Sequence, residues 1–226
     1  RRILALHDHS GAGPQEKLIA AIKAGQSVAY ASEAGMPLIA DPGFELARAV
    51  VAEDLPMTCA PGPSAVVTAL ALAGLPTDAF FFAGFLPNAK GARCSALEAL
   101  KDVRGTLAFY ESPKRLGAAL KDAARVLGDG RKGVVCRELT KKFEEVTRGT
   151  LAELAEAYAG KSVKGEVVLL VDRGDLPTVS ETDLEKGLKD ALGQMSMRDA
   201  VDAVAAAHGT PRRKVYQLAL ELGKEK

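Results

Sequence analysis

Several residue types that mark common functional classes are rare or missing in this sequence. Its 226 residues include no tryptophan, three cysteines and three histidines. Cys59, Cys94 and Cys136 lie far apart and form no CxxC or Cys/His ligand spacing, so we expect no metal site. We interpret the three cysteines as reduced thiols near the core of a cytoplasmic protein.

Signatures of nucleotide binding and of hydrolysis are also missing. The sequence contains no Walker A loop, no G-x-G-x-x-G motif after a strand and no G-x-S-x-G elbow. The three histidines form no strong serine–histidine or cysteine–histidine signature, which disfavours a catalytic triad. No apolar run approaches the roughly 20 residues of a membrane-spanning helix, so we expect no membrane partner.

Charge and composition are those of an ordinary globular protein. Hydrophobic residues make up 47% of the chain and charged residues 26%, and the net charge is +1. A chain with so little net charge has no global field that would attract a polyanion. Any nucleic-acid partner must therefore be bound by local basic clusters.

Short apolar runs alternate with helical patterns along most of the chain, which predicts an α/β fold. We predict strands at residues 3–6, 28–30, 56–60, 80–83, 106–110, 132–136 and 167–171. Linker-like composition around residues 74–78 and 175–180 divides the chain. The resulting expectation is an N-terminal α/β domain over residues 1–76, a second α/β domain over residues 77–176 and a helical segment over residues 177–226.

Two loops at predicted strand ends have the composition of a ligand site. Residues 31–43 hold Glu33, Asp41, two glycines and two prolines, and residues 61–64 read Pro-Gly-Pro-Ser. In open α/β sheets ligands bind at the carboxyl ends of strands. Ser64 precedes a predicted helix, where its hydroxyl could cap the helix or meet a ligand. Ser112 is likewise expected to cap a helix whose first residue is Pro113. Taken by themselves, the residues of these loops favour the binding of a small polar cofactor between two α/β halves.

The C-terminal segment has the outline of a helix-turn-helix. A helical pattern over residues 197–207 is followed by Gly209, Pro211 and the basic cluster Arg212, Arg213 and Lys214. Basic residues at the start of the second helix could contact phosphates. A solvated face on a packing appendage explains the same pattern.

A set of loop motifs, in this order, resembles a known family. The motifs are residues 6–9, 32–43, 61–64, 73–76 and 84–87, residues 109–113 with Arg115, and residues 137–141 with Glu144. Together they are similar to the ribosomal RNA small subunit methyltransferase I family of the tetrapyrrole methylase superfamily. The resemblance implies two αβα-layered domains with S-adenosylmethionine between them, a homodimer, and 2'-O-methylation of a cytidine in the decoding region of the small-subunit rRNA.

The same resemblance implies which residues line the cofactor cleft. They are Ser32, Glu33, Gly35, Met36, Ser64, Ala65 and Tyr110, with Glu111 beside them. The family usually has Asp at the position of Glu33 and Thr at that of Met36. It also has a first strand and a Gly-Asn-Leu-Gly-Asp loop that should precede Arg1, so we expect both to be missing from this sequence.

Ribose methylation needs help in removing the proton of a weakly acidic hydroxyl. The candidates for that role are Glu111, Lys141 and Glu144, and no metal is required. The 30S subunit or its rRNA would be held by basic residues, namely Lys90, Arg93, Lys114, Arg115, Lys141, Lys142, Arg212, Arg213 and Lys214. Two alternatives stay open: a non-catalytic RNA-binding or ribosome-assembly module, and a related enzyme that methylates a tetrapyrrole or a protein side chain.

Overall fold

The computed structural model describes residue 3 and residues 12–161, 163–174 and 181–224. Its helices are α1 (Ala12–Lys23), α2 (Phe44–Ala52), α3 (Ala65–Ala73), α4 (Lys90–Ala99), α5 (Leu116–Leu127), α6 (Leu151–Ala157), α7 (Glu181–Leu192), α8 (Met197–His208) and α9 (Arg212–Lys224). Its strands are β1 (Phe80–Phe85), β2 (Thr106–Glu111), β3 (Lys132–Arg137), β4 (Glu145–Thr150) and β5 (Val167–Val171). The predicted α/β class is confirmed.

The five strands form one mixed sheet in the order β1-β2-β5-β3-β4. Strand β1 runs parallel to β2, whereas β5 is antiparallel to both β2 and β3, and β4 is antiparallel to β3. Strands β1, β2 and β3 therefore end at the edge of the sheet where β4 and β5 begin. We call this edge the site edge.

Both faces of the sheet are covered, because alternate residues of each strand point to opposite sides. Leu107, Phe109 and Leu169 pack against α4, α5 and α6 in the larger core. Ala108, Cys136 and Leu170 pack against α3 in a second core on the opposite face. The result is the three-layered αβα arrangement that the family resemblance implies for this region.

Helix α3 is tied to the sheet by more than apolar contacts. Its buried residues include Ala69 and Ala73, whose small side chains let the helix lie close to the strands. The guanidinium of Arg148 on β4 donates to the carbonyl oxygens of Leu72 and Ala73 at the C-terminal end of α3. That end has unpaired carbonyls and a partial negative charge, so the arginine stabilises it.

Two of the predicted strands are wrong. Residues 28–30 and 56–60 form no strand, and Val28 and Met57 are exposed. A strand is stable only beside a partner that pairs its backbone groups, and neither segment pairs with a strand in the described residues. The expected strand at residues 3–6 and the His7-Asp8-His9 motif lie, apart from Ile3, outside the described residues.

The start of α5 also differs from its prediction. Ser112 does not cap a helix that begins at Pro113: residues 113–115 form a turn and Arg115 occupies the N-cap position. The backbone N–H of Ser112 instead donates to Oε1 of Glu111, at 2.6 Å. The carboxylate of Glu111 therefore satisfies a backbone donor near this turn.

The chain divides into two compact units, Arg1–Gly174 and Asp175–Lys226. In the first unit α1 and α2 share a small cluster around Ile19, Leu46 and Val50. The predicted boundary after residue 76 stays a prediction. In the second unit α7, α8 and α9 bury a core that includes Leu184, Leu188, Val201, Val215 and Leu218.

Candidate active site

Loops that carry the predicted site residues emerge at the site edge. In the strand register, Glu111 lies opposite Val167, and Arg137 lies opposite both Val167 and Glu145. Phe85 of β1 lies opposite Tyr110. The loop after β1, the turn after β2, the β3–β4 hairpin loop and the segment before β5 therefore come together at one end of the sheet.

The loop of residues 31–43 faces the loop of residues 61–64, as the sequence predicts. A Cβ added to Gly35 would lie 3.5 Å from the carbonyl oxygen of Pro63, and one added to Gly62 would lie 3.2 Å from Sδ of Met36. The backbone at Gly35 thus lies near the backbone of Pro63, and the side chain of Met36 packs against Gly62. The structure brings Gly35 and Met36 next to the segment that ends at Ser64.

Internal hydrogen bonds close the first loop on itself. The hydroxyl of Tyr30 donates to the carbonyl oxygen of Pro42 at 2.6 Å. Ser32 Oγ donates to the carbonyls of Ala34 and Gly35, at 3.3 and 3.2 Å. Gly43, with φ 114°, passes so near Tyr30 that an added Cβ would lie 2.8 Å from its ring.

Backbone strain accompanies this loop. Leu38 and Ala40 adopt left-handed conformations, with φ of 70° and 56°. Residues without a polar side chain seldom take this conformation, and such strain concentrates at ligand sites. Glu33 is exposed and Ser64, although it stands at the N-cap of α3, makes no capping hydrogen bond. The hydroxyl of Ser64 and the carboxylate of Glu33 are therefore available to a ligand.

Tyr110 stands near the end of β2. Its ring packs edge-on against Phe82 at 4.9 Å and at a tilt against Phe85 at 5.6 Å between centroids. Burial is the main cause that raises the pKa of its hydroxyl, and the charges of Asp41 and Glu166 raise it further. Because Asp41 belongs to the loop of residues 31–43, that loop lies near Tyr110.

Glu111 is the most buried of the three catalytic candidates. Its Oε1 accepts from Ser112 N–H and pairs with Nη2 of Arg115 at 2.6 Å. Its Oε2 has no hydrogen-bond partner in the described part of the chain. Burial raises the pKa of this carboxyl, and Ser112 and Arg115 oppose that shift. Glu111 can therefore hold a proton more readily than an exposed glutamate.

Lys141 is poorly suited to accept a proton. Its Nζ lies 3.0 Å from Oε1 of Glu138 and 3.1 Å from Oε2 of Glu166. The hydrogen bond to Glu138, and next that to Glu166, raise the pKa of the ammonium group. Lys141 thus stays charged at neutral pH and can act on a substrate only as a cation. We withdraw it as a candidate base.

Glu144 serves the geometry of the β3–β4 hairpin loop. Its Oε2 accepts from the backbone N–H of Thr140 at 2.6 Å, and its own N–H donates to the carbonyl of Lys141 at 3.1 Å. Both contacts close the loop of residues 138–144. The structure therefore gives Glu144 a local structural role, while its catalytic role stays a prediction.

The sequence interpretation missed Glu138, which organises the same loop. Its Oε1 accepts from Glu166 N–H at 3.0 Å, and its own N–H donates to the carbonyl of Glu166 at 3.0 Å. The bond to Glu166 N–H, followed by that to Lys141, lowers the pKa of Glu138. Gly165 passes so close that an added Cβ would overlap this carboxylate. In the sequence, the pattern that could have indicated this contact is a glycine directly before a glutamate and a buried strand.

Two of the predicted RNA contacts, Arg93 and Arg115, are not exposed and have other partners, and a third, Lys141, is exposed but paired with Glu138 and Glu166. Arg93 is buried, with 6% of its surface exposed, and pairs with Asp122 at 2.6 Å. Its remaining nitrogen donates to the carbonyls of Pro87 and Asn88. A phosphate cannot reach a guanidinium that is buried and paired in this way, so we remove Arg93 from the RNA-binding set. Arg115 is half-buried against Glu111 and the loop after β1.

The other predicted RNA contacts lie on the surface of their units. Lys90, Lys114 and Lys142 are exposed in the first unit. Arg212, Arg213 and Lys214 are exposed at the start of α9 in the second unit. Arg212 pairs with Asp202 on α8, which offsets its charge. The first turn of α9 therefore presents Arg213 and Lys214 as its more available cations.

Neither a metal-binding cluster nor a membrane-spanning helix is present in the described residues. They hold no group of His, Cys, Asp and Glu side chains that could bind a metal ion. They also include no helix with the length and apolar character needed to cross a membrane.

Comparison with known proteins gives matches along nearly the whole chain. The family model described as tetrapyrrole (corrin/porphyrin) methylases matches residues 9–155, and the RsmI C-terminal HTH domain model matches residues 178–223. Solved structures share the fold: diphthine synthase has a TM-score of 0.54 at 14% identity, over 76% of this chain and 70% of its own. Uroporphyrin-III C-methyl transferase from Thermus thermophilus, complexed with S-adenyl homocysteine, has a TM-score of 0.50 at 15% identity, over 73% and 74%.

Curated relatives are far more similar in sequence. Ribosomal RNA small subunit methyltransferase I of Mesorhizobium japonicum is 42% identical over 98% of this chain and 76% of its own length. The protein of the same name from Mycobacterium tuberculosis H37Rv is 41% identical over 99% and 79%, and that from Escherichia coli O157:H7 is 38% identical over 97% and 78%. Confirming the resemblance of the loop motifs, these matches place the chain in the ribosomal RNA small subunit methyltransferase I family, within the tetrapyrrole methylases.

Proposed function

We propose that this chain transfers a methyl group from S-adenosylmethionine to the 2'-hydroxyl of a cytidine in the decoding region of small-subunit rRNA. The observation that carries the proposal is the identity of 38–42% to methyltransferases of that name over at least 97% of this chain. The gathering of Glu111, Lys141 and Glu144 at the site edge supports it. We further propose that the protein acts in the cytoplasm as a homodimer.

The residues present fit a nucleoside-type cofactor. Gly35 has no side chain to cover the backbone of the first loop, and Ser64 has a hydroxyl that no capping bond occupies. Ser32, Glu33, Gly35, Met36, Ser64 and Ala65 would hold S-adenosylmethionine from one side and Tyr110 from the other. When bound, the sulfonium supplies an activated methyl group, so no metal is needed for the transfer.

The chain's own part in the reaction is to align the ribose hydroxyl and to take its proton. Alignment alone can lower such a barrier substantially. Among the three catalytic candidates, Glu111 has an unpaired oxygen and a raised pKa, so we assign it as the proton acceptor. Because its side chain is fully buried, this role requires that RNA binding uncover the carboxylate. Lys141, held as an ammonium between two carboxylates, would act on the substrate as a fixed positive charge.

RNA binding in this proposal uses exposed cations of both units. Lys90, Lys114, Lys142, Arg213 and Lys214 would contact phosphates, and the affinity should therefore fall as salt is added. We assign residues 1–76 to a cofactor-side domain, residues 77–176 to a second α/β domain and residues 177–226 to an RNA-binding segment. The helix-turn-helix outline of α8 and α9 supports the last assignment.

The test combines cofactor binding with methyl transfer. Purified protein is incubated with methyl-labelled S-adenosylmethionine and 30S subunits that lack the modification, and the RNA is then digested with alkali. Because a 2'-O-methyl group blocks alkaline cleavage, we expect the label in an alkali-resistant dinucleotide that contains cytidine.

The other outcomes separate the alternatives. Label in a tetrapyrrole or in a ribosomal protein, with none in RNA, would identify a related enzyme with another substrate. Binding of 30S subunits without binding of S-adenosylmethionine would identify a non-catalytic RNA-binding module. Either result would refute the proposed function.

A further inference from the structure

An exposed aromatic residue stands at the tip of the β3–β4 hairpin. Phe143 has 63% of its surface exposed, although large apolar side chains usually pack inside a protein. The Nζ of Lys142 lies 5.6 Å from the centroid of its ring, within cation–π range. The basic residues of this loop are predicted RNA contacts, but that prediction gives Phe143 no role.

Hydrogen bonds hold the tip in a defined shape. Lys141 N–H donates to the carbonyl of Glu138 at 3.0 Å, and Thr140 N–H donates to the carboxylate of Glu144 at 2.6 Å. Glu138 and Thr140 both have left-handed backbones, with φ of 50° and 64°. A loop fixed in this way presents a side chain at little entropic cost, which favours binding.

Lys142 is the cation at the tip that no carboxylate in the described part of the chain offsets. Glu138 and Glu166 pair with Lys141, Glu145 pairs with Arg137, and the carboxylate of Glu144 accepts a backbone N–H. Lys142 forms no ion pair in the described residues. The exposed ring of Phe143 therefore stands beside an exposed lysine that is free to contact an anion.

Phe44 is a second exposed phenylalanine with a cation near its ring, but its cation is paired with a carboxylate. Phe44 is 60% exposed and Arg48 lies 5.8 Å from its ring centroid. Arg48, however, pairs with Glu45 at 2.5 Å, so its charge is offset. An exposed aromatic ring with a compensated cation lacks the electrostatic attraction for a polyanion, and Phe44 is therefore a matched control for Phe143.

The tip lies beside the candidate active site. Lys141, two residues before Phe143, pairs with Glu166, which directly precedes β5 at the site edge. The charge of Glu166 also acts on Tyr110 at the end of β2. Nucleotides next to a target ribose at this edge would therefore be near the tip.

We propose that Phe143 stacks on an unpaired base of the RNA next to the methylated nucleotide, while Lys142 contacts a phosphate of the same strand. Single-stranded RNA is bound by this combination of aromatic rings and cations, because every base has a flat face and every linkage a charge. This inference rests on the proposed function and extends it to a residue that positions the substrate.

The test uses the lack of tryptophan in the chain. Phe143→Trp introduces a single tryptophan whose fluorescence reports directly on stacking. We expect a short single-stranded, cytidine-containing oligoribonucleotide to quench that fluorescence, and an abasic strand with the same number of phosphates to leave it unchanged. Phe44→Trp should show no change with either strand.

Affinity measurements provide the second readout. Phe143→Leu should weaken binding of the oligoribonucleotide about 5-fold or more without changing its salt dependence, and Phe143→Tyr should retain it. Lys142→Ala should instead reduce the salt dependence. The inference is overturned if the abasic strand quenches as strongly as RNA, or if Phe143→Leu binds like the unaltered protein.

Two further results keep the inference separate from the proposed function. If Phe143→Leu changes the oligomeric mass and leaves RNA affinity unaltered, Phe143 is a protein contact and the inference is overturned. Because these measurements need no methyl donor, RNA-dependent quenching without methyl transfer to 30S subunits would support the stacking contact and refute only the proposed reaction.

Discussion

Arg93 and Arg115 hold the loop that follows β1 at the site edge. Arg93 donates two hydrogen bonds to Oδ2 of Asp122, at 2.9 and 2.6 Å, and others to the carbonyls of residues 87 and 88. Arg115 bonds the carbonyl of residue 86 and the side chain of residue 88, and it pairs with Glu111. The two guanidinium groups thus connect one loop of the candidate site to two helices and a strand end.

Removing the Arg93 guanidinium should strongly destabilise the protein. In Arg93→Ala the carboxylate of Asp122, whose residue is 4% exposed, stays buried and keeps, among the described residues, only the distant Arg125, at 3.8 Å, as a cationic partner. Breaking a buried ion pair on one side costs about 3–5 kcal/mol in the free energy of unfolding, measurable by urea denaturation. Lys90→Ala, at an exposed position of the same helix, is the control. An Arg93→Met/Asp122→Leu double variant should recover most of the loss, and equal stability of Arg93→Ala and the unaltered protein would contradict the argument.

Glu111 should make stability depend on pH. Its pKa is raised by burial, so between its unfolded and folded pKa values the native state binds more protons than the unfolded state. The stabilising contribution of Glu111 is then complete below the unfolded pKa and is lost as pH rises through the folded value. Denaturation from pH 4 to 8 should show the unaltered protein losing stability relative to Glu111→Gln. A difference that does not vary with pH would contradict the raised pKa.

At the scale of elements, strands with buried apolar residues could be predicted and one with exposed polar residues could not. Strand β5 reads Val-Val-Leu-Leu-Val and is buried throughout. Strand β4 reads Glu-Val-Thr-Arg-Gly-Thr, is partly exposed and exists because it pairs with β3. The predicted strands at residues 28–30 and 56–60 show the opposite case. They have apolar residues but no partner among the described strands to pair with their backbone groups.

The composition of the loops predicted where the candidate site lies, but it did not predict which charged side chains form ion pairs there. Glycine, proline and acidic residues marked the two facing loops, although the strands predicted before them do not form, and Gly35 and Gly62 lie at the contact of the loops. Pairing of Arg93 with Asp122, which are 29 residues apart, could not be predicted because charged residues of both signs are spread along the whole chain. The state of Lys141 depends likewise on Glu166, which reaches it only through the register of β5 and β3.

The hairpin loop should depend on a glycine outside it. Gly165 has φ 95° and lies against the carboxylate of Glu138, so Gly165→Ala combines backbone strain with a clash. Gly160, with φ 66°, has open space around it, and Gly160→Ala should cost only the strain, about 1 kcal/mol. We expect Gly165→Ala to destabilise the protein more and to speed amide exchange in residues 138–144. Equal effects of the two substitutions would show that the contact with Glu138 is unimportant.

For the whole molecule, the net charge of +1 does not distinguish cations that are free to bind RNA phosphates from cations that are paired with carboxylates. Arg93, Arg137 and Lys141 are paired with carboxylates in the first unit. At the start of α9, Arg212 is paired with Asp202, whereas Arg213 and Lys214 are exposed and form no ion pair in the described residues. Total charge therefore predicts RNA affinity less well than the number of unpaired cations.

The salt dependence of RNA affinity measures the number of cations that contact phosphates. For the Arg213→Ala/Lys214→Ala variant we expect weaker binding of single-stranded rRNA fragments and a shallower slope of log affinity against log salt, by about 0.7 for each phosphate that the variant no longer neutralises. Arg212→Ala is the matched control, because a cation already paired with Asp202 releases fewer counterions from RNA and should change the slope less. Binding is measured by fluorescence anisotropy at several salt concentrations, with circular dichroism to verify that α9 is intact. If the double variant keeps the slope of the unaltered protein, the start of α9 does not contact phosphates, and the RNA-binding surface must be sought among Lys90, Lys114 and Lys142 of the first unit.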